Sequence, residues 1–525
     1  MKTTPGKPRW LLLRLLLLIP WAGVLALKMI PALEQYAYAQ TFAIMGAFVV
    51  SVLLIALWLL VFSGLAWSTR FKGLLGLILI LGAALSMVRK DGHMGDFLPQ
   101  ISFRWMKKPG DQLAALTPVA DNGSHRFSTD QPGDFPQFLG LGGRNDQQAT
   151  LLAENWYQQS PKELWRNEVG LGWGGFIVAG DYAITLEQRG ENEAVVARDV
   201  RSGAALWVHE DKARFEEDMG GTGPRTTPLA ADDKVWTLGA TGVLNCLDGK
   251  TGRLLWKRDT LKEAGHENLG WAKSSSPILV DDMIVVTLGK GEKSLAAYRA
   301  ATGELVWRSG AKEAGYATPV LAEIAGVRQI LAVFAKSAGG YDPATGATIW
   351  EWTENFKSAP ANVANPMPYG SDGVLISIGY GIGSSMIKFD PTARTPTSWP
   401  HQIEWQTMKM KPKFTNLVLR GDHAWGLDEG RLSCLDLKTG QQLWRGASYG
   451  HGQIMGAGDT LIIQSEKGEV VIVRASTTAE EILARIPALT SKTWNSACLA
   501  GNLLLVRNDR EAICFELPRR AAVVP

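Results

Sequence analysis

The chain has 525 residues and a mass of 57.1 kDa, which excludes a single small module and is enough for a large core or several domains. Residues 1–110 carry 12 basic and 3 acidic side chains, and the remainder carries 42 and 48, so the main body is mildly acidic. That charge balance excludes the usual nucleic-acid-binding protein, which needs concentrated positive charge, and four scattered cysteines without a Cys-x-x-Cys pair indicate neither a zinc site nor a dense disulfide framework.

The excess of apolar residues lies near the N-terminus, in three runs. Residues 10–30 are apolar except for Arg14 and Lys28, residues 41–67 carry no charge, and residues 73–88 form a shorter third run. The first two runs are long enough to cross a bilayer core about 30 Å thick as helices. The sequence therefore predicts an α-helical transmembrane region of about three spans within residues 1–90, with the lipid bilayer as one partner.

Basic residues at one end of these runs predict the orientation. They precede or enter the first run and lie between the second and third, at Lys2, Lys7, Arg9, Arg14, Arg70 and Lys72. By the positive-inside rule this end faces the cytoplasm. Three spans then place residues 89–525 outside the cytoplasmic membrane.

Two alternatives stay open at this point. If residues 73–88 lie on the membrane surface, the large domain is cytoplasmic, an orientation that Arg89 and Lys90 favour. If the first run is a signal peptide cleaved near Ala37-Tyr38-Ala39, the uncharged run 41–67 still anchors the product. Residues 91–150 are rich in Gly, Pro, Asp and Gln, which predicts a stalk between membrane and main domain.

A short phrase recurs from residue 161 onward: a turn with glycine is followed four residues later by tryptophan, as at Gly252 and Trp256. Glycine supplies the positive φ of a tight turn, and tryptophan gives the following strand a large apolar anchor. The copies end at Trp207, Trp256, Trp307, Trp350 and Trp444. With Trp165 and Trp405 included, consecutive anchors are 39 to 55 residues apart, a period typical of β-propeller blades with four short strands each.

The number of outer strands predicts eight blades, the last with Ala484 in place of tryptophan. Three strands follow at 494–500, 502–507 and 512–517, while the first unit begins with a lone strand at 163–167. Pairing the lone strand with the last three closes the ring and removes its exposed edges. The predicted fold is an all-β, eight-bladed β-propeller over residues 151–518, with a tail at 519–525.

The Trp-anchored phrase resembles the repeat of pyrroloquinoline quinone (PQQ) propellers. This group includes quinoprotein alcohol and glucose dehydrogenases and the propeller lipoprotein of the outer-membrane β-barrel assembly machinery. The resemblance is strongest to membrane-anchored bacterial PQQ-binding-like propellers, and further phrases at 135–140, 378–383, 449–452 and 493–495 carry it over nearly all of residues 91–518. It implies a bacterial inner-membrane protein with a periplasmic propeller that binds ligands at one mouth of its central channel.

Residues that open the first strand of each blade are expected to ring that mouth. The equivalent positions are Trp173, Arg225, Lys273, Tyr316, Asn365, Lys413, His451, Lys492, Trp494 and Asn495. This predicted ring is cationic and aromatic and contains no carboxylate. Its positive residues would attract an anionic ligand such as PQQ, and its aromatic residues would stack on a flat ring system.

Three functional hypotheses follow. The favoured one is a non-catalytic scaffold for an envelope protein, without catalytic residues, cofactor or metal. The similar dehydrogenases need a carboxylate on calcium and an aspartate base, whereas the nearby Glu187, Asp218 and Glu267 fall outside the predicted ring. The alternatives are a PQQ- and calcium-dependent membrane alcohol or sugar dehydrogenase and a sensor of small anions.

Other prominent residues are expected to be structural. The repeated tryptophans should pack between blades, because indoles bury large areas. Cys246 and Cys434 share one blade position and should be buried apolar residues. Cys498 and Cys514 should lie two strand spacings apart, beyond disulfide reach. His451, between two glycines, is interpreted as a hydrogen-bonded loop residue rather than a ligand.

Overall fold

A computed structural model describes residues 8–30, 37–108, 110, 113–119, 123–156, 158–354, 356, 361–395 and 399–520. The chain divides into two compact units, Met1–Lys108 and Pro109–Pro525. In the described part of the first unit, three helices are long and apolar enough to cross a membrane. They are α1 (Trp10–Lys28), α2 (Ala37–Leu57), which continues as a π-helical turn at Trp58–Phe62, and α3 (Trp67–Met87).

The third helix is longer than the apolar run that predicted it. It begins at Trp67, so Arg70 and Lys72 lie in its first turns rather than between two spans. The Arg70 guanidinium donates to the carbonyls of Leu60 (2.6 Å) and Leu65 (2.7 Å), which keeps its charge at the end of the helix. At 1.5 Å per residue, 21 residues span about 32 Å, enough for a bilayer core. A short hairpin follows, formed by β1 (Val88–His93) and β2 (Pro99–Phe103).

The described part of the second unit contains eight antiparallel sheets of four strands, one of them with an added parallel strand. Two early strands are β3 (Asp146–Gln147) and β4 (Lys162–Glu168). The first blade comprises β5 (Ile177–Ala179), β6 (Tyr182–Arg189), β7 (Asn192–Asp199) and β8 (Ala205–Asp211). A small hairpin of β9 (Glu216–Glu217) and β10 (Gly221–Thr222) leads to the second blade, which comprises β11 (Leu229–Ala231), β12 (Lys234–Leu238), β13 (Val243–Asp248) and β14 (Leu254–Asp259). The short helix α4 (Thr260–Ala264) leads to the third blade, with β15 (Ile278–Val280), β16 (Met283–Thr287), β17 (Leu295–Arg299) and β18 (Leu305–Ser309), and the fourth blade comprises β19 (Val320–Ile324), β20 (Val327–Val333), β21 (Ala338–Tyr341) and β22 (Thr348–Trp352).

The remaining blades repeat the same order. The fifth blade comprises β23 (Met367–Tyr369), β24 (Gly373–Ile378), β25 (Gly383–Phe389) and β26 (His401–Thr407), and the sixth comprises β27 (Val418–Arg420), β28 (His423–Asp428), β29 (Arg431–Asp436) and β30 (Gln442–Ser448). The seventh blade comprises β31 (Gln453–Ala457), β32 (Thr460–Gln464), β33 (Glu469–Arg474) and β34 (Ile482–Pro487). The eighth contains β35 (Cys498–Ala500), β36 (Leu503–Arg507) and β37 (Glu511–Glu516). First strands of neighbouring blades touch, as β5 does with β11 and β35. The predicted eight-bladed propeller is confirmed.

The two ends of the propeller meet in the last blade. Strand β4 pairs antiparallel with β37, and Trp165 lies opposite Cys514. The last sheet therefore takes three strands from the C-terminal end and its outer strand from the N-terminal end. This is the closure that the lone strand at 163–167 predicts, and it leaves no blade incomplete.

Most anchor tryptophans pack against the turn of the following blade. Trp207 is buried, its indole N–H donates to the Gly249 carbonyl at 3.0 Å, and its ring lies over Gly252. The same indole hydrogen bond and the same packing of the ring over a turn glycine of the next blade recur at Trp165, Trp256, Trp307 and Trp405. Trp350 differs, because its indole donates to Gln329 at 2.6 Å within its own blade. The tryptophans therefore pack between blades, as expected.

We expect Gly252→Ala to destabilise the propeller more than Gly326→Ala. Both glycines have a positive φ, +70° and +78°, so alanine brings a similar backbone cost of about 1 kcal/mol at each. A Cβ at position 252 would lie 2.5 Å from the Trp207 ring, whereas nothing lies within 4 Å at 326. Overpacking should add about 1–3 kcal/mol at position 252 alone. Thermal unfolding of both variants measures the difference, and equal losses would contradict inter-blade docking of Trp207.

The segment expected to be a stalk contacts the propeller over much of its length. Phe135 is buried and pairs through its backbone with Val178 of the first blade. Asn145 donates to the carbonyls of Leu417 and Ile454 in the sixth and seventh blades, at 3.1 and 2.8 Å, and β3 adds to β31 in parallel. Residues 123–156 therefore pack on the propeller because scattered aromatic and amide groups, without periodicity, find partners there.

All four cysteines are buried and reduced. Cys246, Cys434 and Cys514 each lie on a third strand opposite an anchor tryptophan, at Trp256, Trp444 and Trp165. Cys498 and Cys514 both pair with Leu505, which lies between them. Burial raises the pKa of Cys246 and Cys434 to about 12, so these thiols are packing groups.

Candidate functional site

The ten predicted ring residues lie on loops that lead into first strands. In an antiparallel four-stranded blade, the turn between the second and third strands lies at the same end as these loops, because strand direction alternates. This shared end is called the channel mouth below. The predicted ring therefore has a second set of neighbours, which includes Tyr380, Glu429 and Glu466 from those turns.

Four half-buried aromatic residues form a continuous arc at the channel mouth. The ring of Trp494 lies 5.1 Å from that of Trp173 and 5.0 Å from that of Phe414. Phe414 continues to Tyr380 at 6.5 Å. The rings meet at tilted or edge-on angles, the arrangement that aromatic pairs favour. We call these four residues the aromatic arc.

Lys492 lies on the aromatic arc. Its ammonium is 4.0 Å from the Trp494 ring centre and 4.9 Å from that of Trp173, within cation–π range. The side chain is buried, and burial lowers the pKa of Lys492 to about 8, opposed by the charges of Asp509 and Glu466. Lys492 is thus a buried cation set against two indoles.

A buried ionic cluster lies beside the arc. The Lys413 ammonium is 3.1 Å from a Glu429 carboxylate oxygen and 3.4 Å from Nε2 of His451, with both charged side chains at most 5% exposed. Glu466 accepts from the His451 backbone N–H at 3.1 Å and from the Trp494 indole at 2.8 Å. The cluster thus joins the sixth, seventh and eighth blades, and His451 is a hydrogen-bonded loop residue there.

Arg225 lies in a second ionic group. Its guanidinium donates to Glu217 at 2.9 Å and to the Trp271 carbonyl at 2.9 Å. Burial lowers the pKa of Arg225, and the charge of Glu217 opposes that shift. The Tyr316 ring lies against Trp271 at a tilted angle, with ring centres 5.7 Å apart, and burial raises the pKa of its hydroxyl. This half of the mouth is also aromatic and charge-balanced.

The expectation that the mouth contains no carboxylate is wrong. Glu217 pairs with Arg225, and Glu429 pairs with Lys413. Glu466 accepts hydrogen bonds from Trp494 and His451. Glu429 and Glu466 come from turns between second and third strands, so loops into first strands alone do not reveal them. Glu217 lies next to Asp218, the residue singled out in the sequence, on the small hairpin β9–β10.

Asn365 and Asn495 connect neighbouring blades. Side-chain oxygens accept from the backbone N–H of the preceding blade in five successive steps, from Gly175 to Thr227, Ser276, Thr318, Asn365 and Asn416. Their donor–acceptor distances are 2.7 to 3.1 Å. Asn495 donates to the carbonyls of Gly172 and Gly174 and so joins the last blade to the first. Both asparagines are buried, which assigns them to blade–blade contacts.

Lys273 does not face the channel mouth as an open cation. The side chain is fully buried and its ammonium donates to the Leu288 carbonyl in its own blade. Burial lowers the pKa of Lys273 to about 7. The cationic ring predicted from the sequence is thus replaced by a mouth whose charges are paired or buried.

The pKa of Lys273 predicts a pH dependence of stability. An unfolded lysine titrates near 10.4, so below pH 7 both states are charged and burial of the charge costs stability in full. Between about pH 7 and 10 the folded state alone loses the proton, and the cost disappears. The Tm of the wild type should therefore rise relative to Lys273→Met across this window. Lys250→Met, at an exposed position, should show no such trend; a flat difference for Lys273→Met would contradict the burial of a charge.

Among the residues that the structure describes, no group of three or more His, Cys, Asp or Glu side chains is arranged to hold a metal ion. What the described mouth offers a ligand is half-buried aromatic surface, next to the buried Lys492 and to ion pairs with limited exposure. Aromatic residues and arginine in partly buried positions are typical of protein–protein contact sites.

Comparison with known proteins supports a PQQ-type propeller. The family described as outer membrane protein assembly factor BamB matches residues 157–309 and 191–445, together more than half of the chain. The crystal structure of BamB from Moraxella catarrhalis is 15% identical to this chain, with 68% of this chain and 100% of that chain covered and a TM-score of 0.49. None of the curated proteins compared with the chain matches it.

Dehydrogenases of the same fold are similar to a comparable degree. A europium-containing methanol dehydrogenase is 12% identical over 72% of this chain and 90% of that chain, with a TM-score of 0.50. The quinohemoprotein alcohol dehydrogenase from Comamonas testosteroni is 13% identical over 76% and 82%, with a TM-score of 0.43. At these identities the likeness concerns the fold alone.

Proposed function

Because the chain belongs to the family described as outer membrane protein assembly factor BamB, we propose that it is a membrane-anchored, non-catalytic propeller that binds a protein partner in the bacterial envelope. The partner would contact the channel mouth through the aromatic arc. Half-buried Trp173 and Trp494 supply large apolar contacts there, and the paired charges around them supply a polar rim.

The observation that carries this proposal is that the cations at the mouth are either paired internally or buried. PQQ has three carboxylates, which need free positive groups, yet Arg225 and Lys413 already face Glu217 and Glu429 at 2.9 and 3.1 Å. Lys273 is bonded to a backbone carbonyl inside its blade, and Lys492 is buried against Trp173 and Trp494. These residues therefore do not fit PQQ, nor a small anion in its place, and they support protein binding over the dehydrogenase and sensor alternatives.

We also propose that the helices place the propeller on the periplasmic side of the inner membrane. Arg9 and Arg70 lie at one end of the helix bundle, where the Trp58 indole donates to the Arg9 carbonyl at 3.1 Å. With that end in the cytoplasm, an odd number of spans takes residue 88 across the membrane. An alkaline phosphatase fused after residue 525 should be active in cells, since it folds only outside the cytoplasm; an inactive but stable fusion would overturn this orientation.

Photo-crosslinking of the full-length chain in its native membrane tests the partner. A photoreactive residue in place of Trp494 should form a protein adduct of one defined mass that Trp173→Ala weakens. The same residue at Lys250, on a turn at the opposite end of its blade, is the matched control. No adduct at 494, or PQQ-dependent oxidation of alcohols or sugars by the same membranes, would overturn the proposal.

A further inference from the structure

The hairpin β1–β2 begins where the last membrane helix ends. Helix α3 ends at Met87 and β1 starts at Val88 without a connecting residue, and the Arg104 N–H donates to the Met87 carbonyl at 2.9 Å. Because α3 is about as long as the hydrocarbon core is thick, a membrane-spanning α3 delivers the hairpin directly to the lipid headgroups.

The hairpin has one polar face and one face that is apolar except for Lys90. Its register pairs Val88 with Phe103 and Lys90 with Ile101, so these four residues share a face. Ile101 is 64% and Phe103 47% exposed. On the other face, Asp91 accepts from Arg89 at 2.7 Å and from Ser102 at 2.5 Å. The polar groups are therefore bonded to one another, while the apolar face is open.

Aromatic surface extends this open face beyond the strand. Trp105 is 68% exposed and stacks on Phe103, with ring centres 4.6 Å apart and planes at 9°. Met106 is 54% exposed. A stacked Trp–Phe pair left open in this way is unusual on a surface that meets only water, whereas tryptophan is enriched at membrane–water interfaces.

Positive charge follows the aromatic pair at once. Arg104, Lys107 and Lys108 are exposed and lie beside Trp105 in the sequence. Basic side chains next to a membrane span are attracted to anionic headgroups, and an apolar face flanked by lysine and arginine is the pattern of segments that lie in the interface.

We propose that the hairpin is an interfacial membrane anchor. Ile101, Phe103 and Trp105 insert between the lipid headgroups, and Lys107 and Lys108 contact anionic lipids. The bilayer is the occupant because the same chain emerges from it at Met87. The anchor thus fixes the point at which the chain leaves the membrane, independently of what the propeller binds.

Depth-dependent fluorescence quenching tests the anchor in the full chain. Leu98, in the turn between β1 and β2, is 50% exposed. The native cysteines are buried, so Ile101→Cys or Leu98→Cys can be labelled selectively with bimane in nanodiscs of phosphatidylcholine and phosphatidylglycerol. We expect severalfold stronger quenching by headgroup-proximal nitroxide lipids than for the control Lys250→Cys, and protection from aqueous iodide. Quenching by iodide equal to that of the control would overturn the proposal, as would protection from both quenchers, which would indicate a protein cover. Agreement between the two hairpin positions excludes a local folding defect.

Discussion

Arg507→Met is expected to destabilise the propeller by about 3 to 5 kcal/mol. The Arg507 guanidinium is fully buried and donates to the Leu186 carbonyl at 2.8 Å, the Gly170 carbonyl at 2.9 Å and the Thr185 hydroxyl at 2.8 Å. These bonds join the last blade to the first. Methionine keeps much of the volume but leaves the two buried carbonyls without this donor, at about 1–3 kcal/mol each. Thermal unfolding and hydrogen exchange in β6 and β36 measure the loss.

Arg485→Met is the control for this change. Arg485 pairs with Glu469 at 2.6 Å, but its side chain is 46% exposed. An exposed pair contributes at most about 1 kcal/mol. If the two variants lost the same stability, the closure of the ring would not depend on Arg507.

Glu429→Gln is expected to cost a similar 3 to 5 kcal/mol, because it leaves the buried Lys413 ammonium without its neighbouring carboxylate. The double variant Lys413→Met/Glu429→Gln should recover most of the loss, since replacing a buried ion pair as a whole is often nearly neutral. Unfolding of both proteins in urea measures the recovery.

Asp422→Asn breaks the exposed Lys438–Asp422 pair, whose side chains are 66% and 45% exposed, and serves as the matched control, with an expected loss below about 1 kcal/mol. A double variant less stable than Glu429→Gln would show that Lys413 stabilises the mouth through other contacts, contrary to the charge-pairing account.

The fold was predictable because its repeat carries a physical reason in every copy. The glycine turn and the tryptophan four residues later, as at Gly252 and Trp256, fix a hairpin and its docking partner together. The degenerate eighth copy fits the same pattern, because Ala484 lies opposite Ile472 at the position where the other blades place tryptophan. Closure followed from the lone strand and the incomplete last blade.

The mouth was less predictable, for two reasons. Turns between second and third strands bring Glu429 and Glu466 to the site. These turns are separate in sequence from the loops that lead into the first strands, so a search of those loops alone misses both carboxylates. Side chains also alternate along an extended segment, so a shift of one residue changes the face: buried Lys413 was chosen, while the half-buried ring beside it belongs to Phe414. Which of the ten ring residues binds a partner stays a prediction.

The packing of residues 123–156 had no periodic signal. Phe135 and Asn145 are fixed by a few hydrogen bonds with the first, sixth and seventh blades. Such contacts form only once the propeller has folded, so composition alone predicts only a linker for this segment. The third membrane helix was underestimated for a related reason, because Arg70 and Lys72 interrupt hydropathy but not the helix.

Calorimetric titration of the full-length, detergent-solubilised chain with PQQ, in the presence and absence of calcium, tests the central claim that the charges of the mouth are paired internally. We expect no binding up to high micromolar PQQ, because Arg225 and Lys413 are held by Glu217 and Glu429. Tight, calcium-dependent binding that Lys413→Met abolishes would contradict the claim and establish a cofactor site at the mouth.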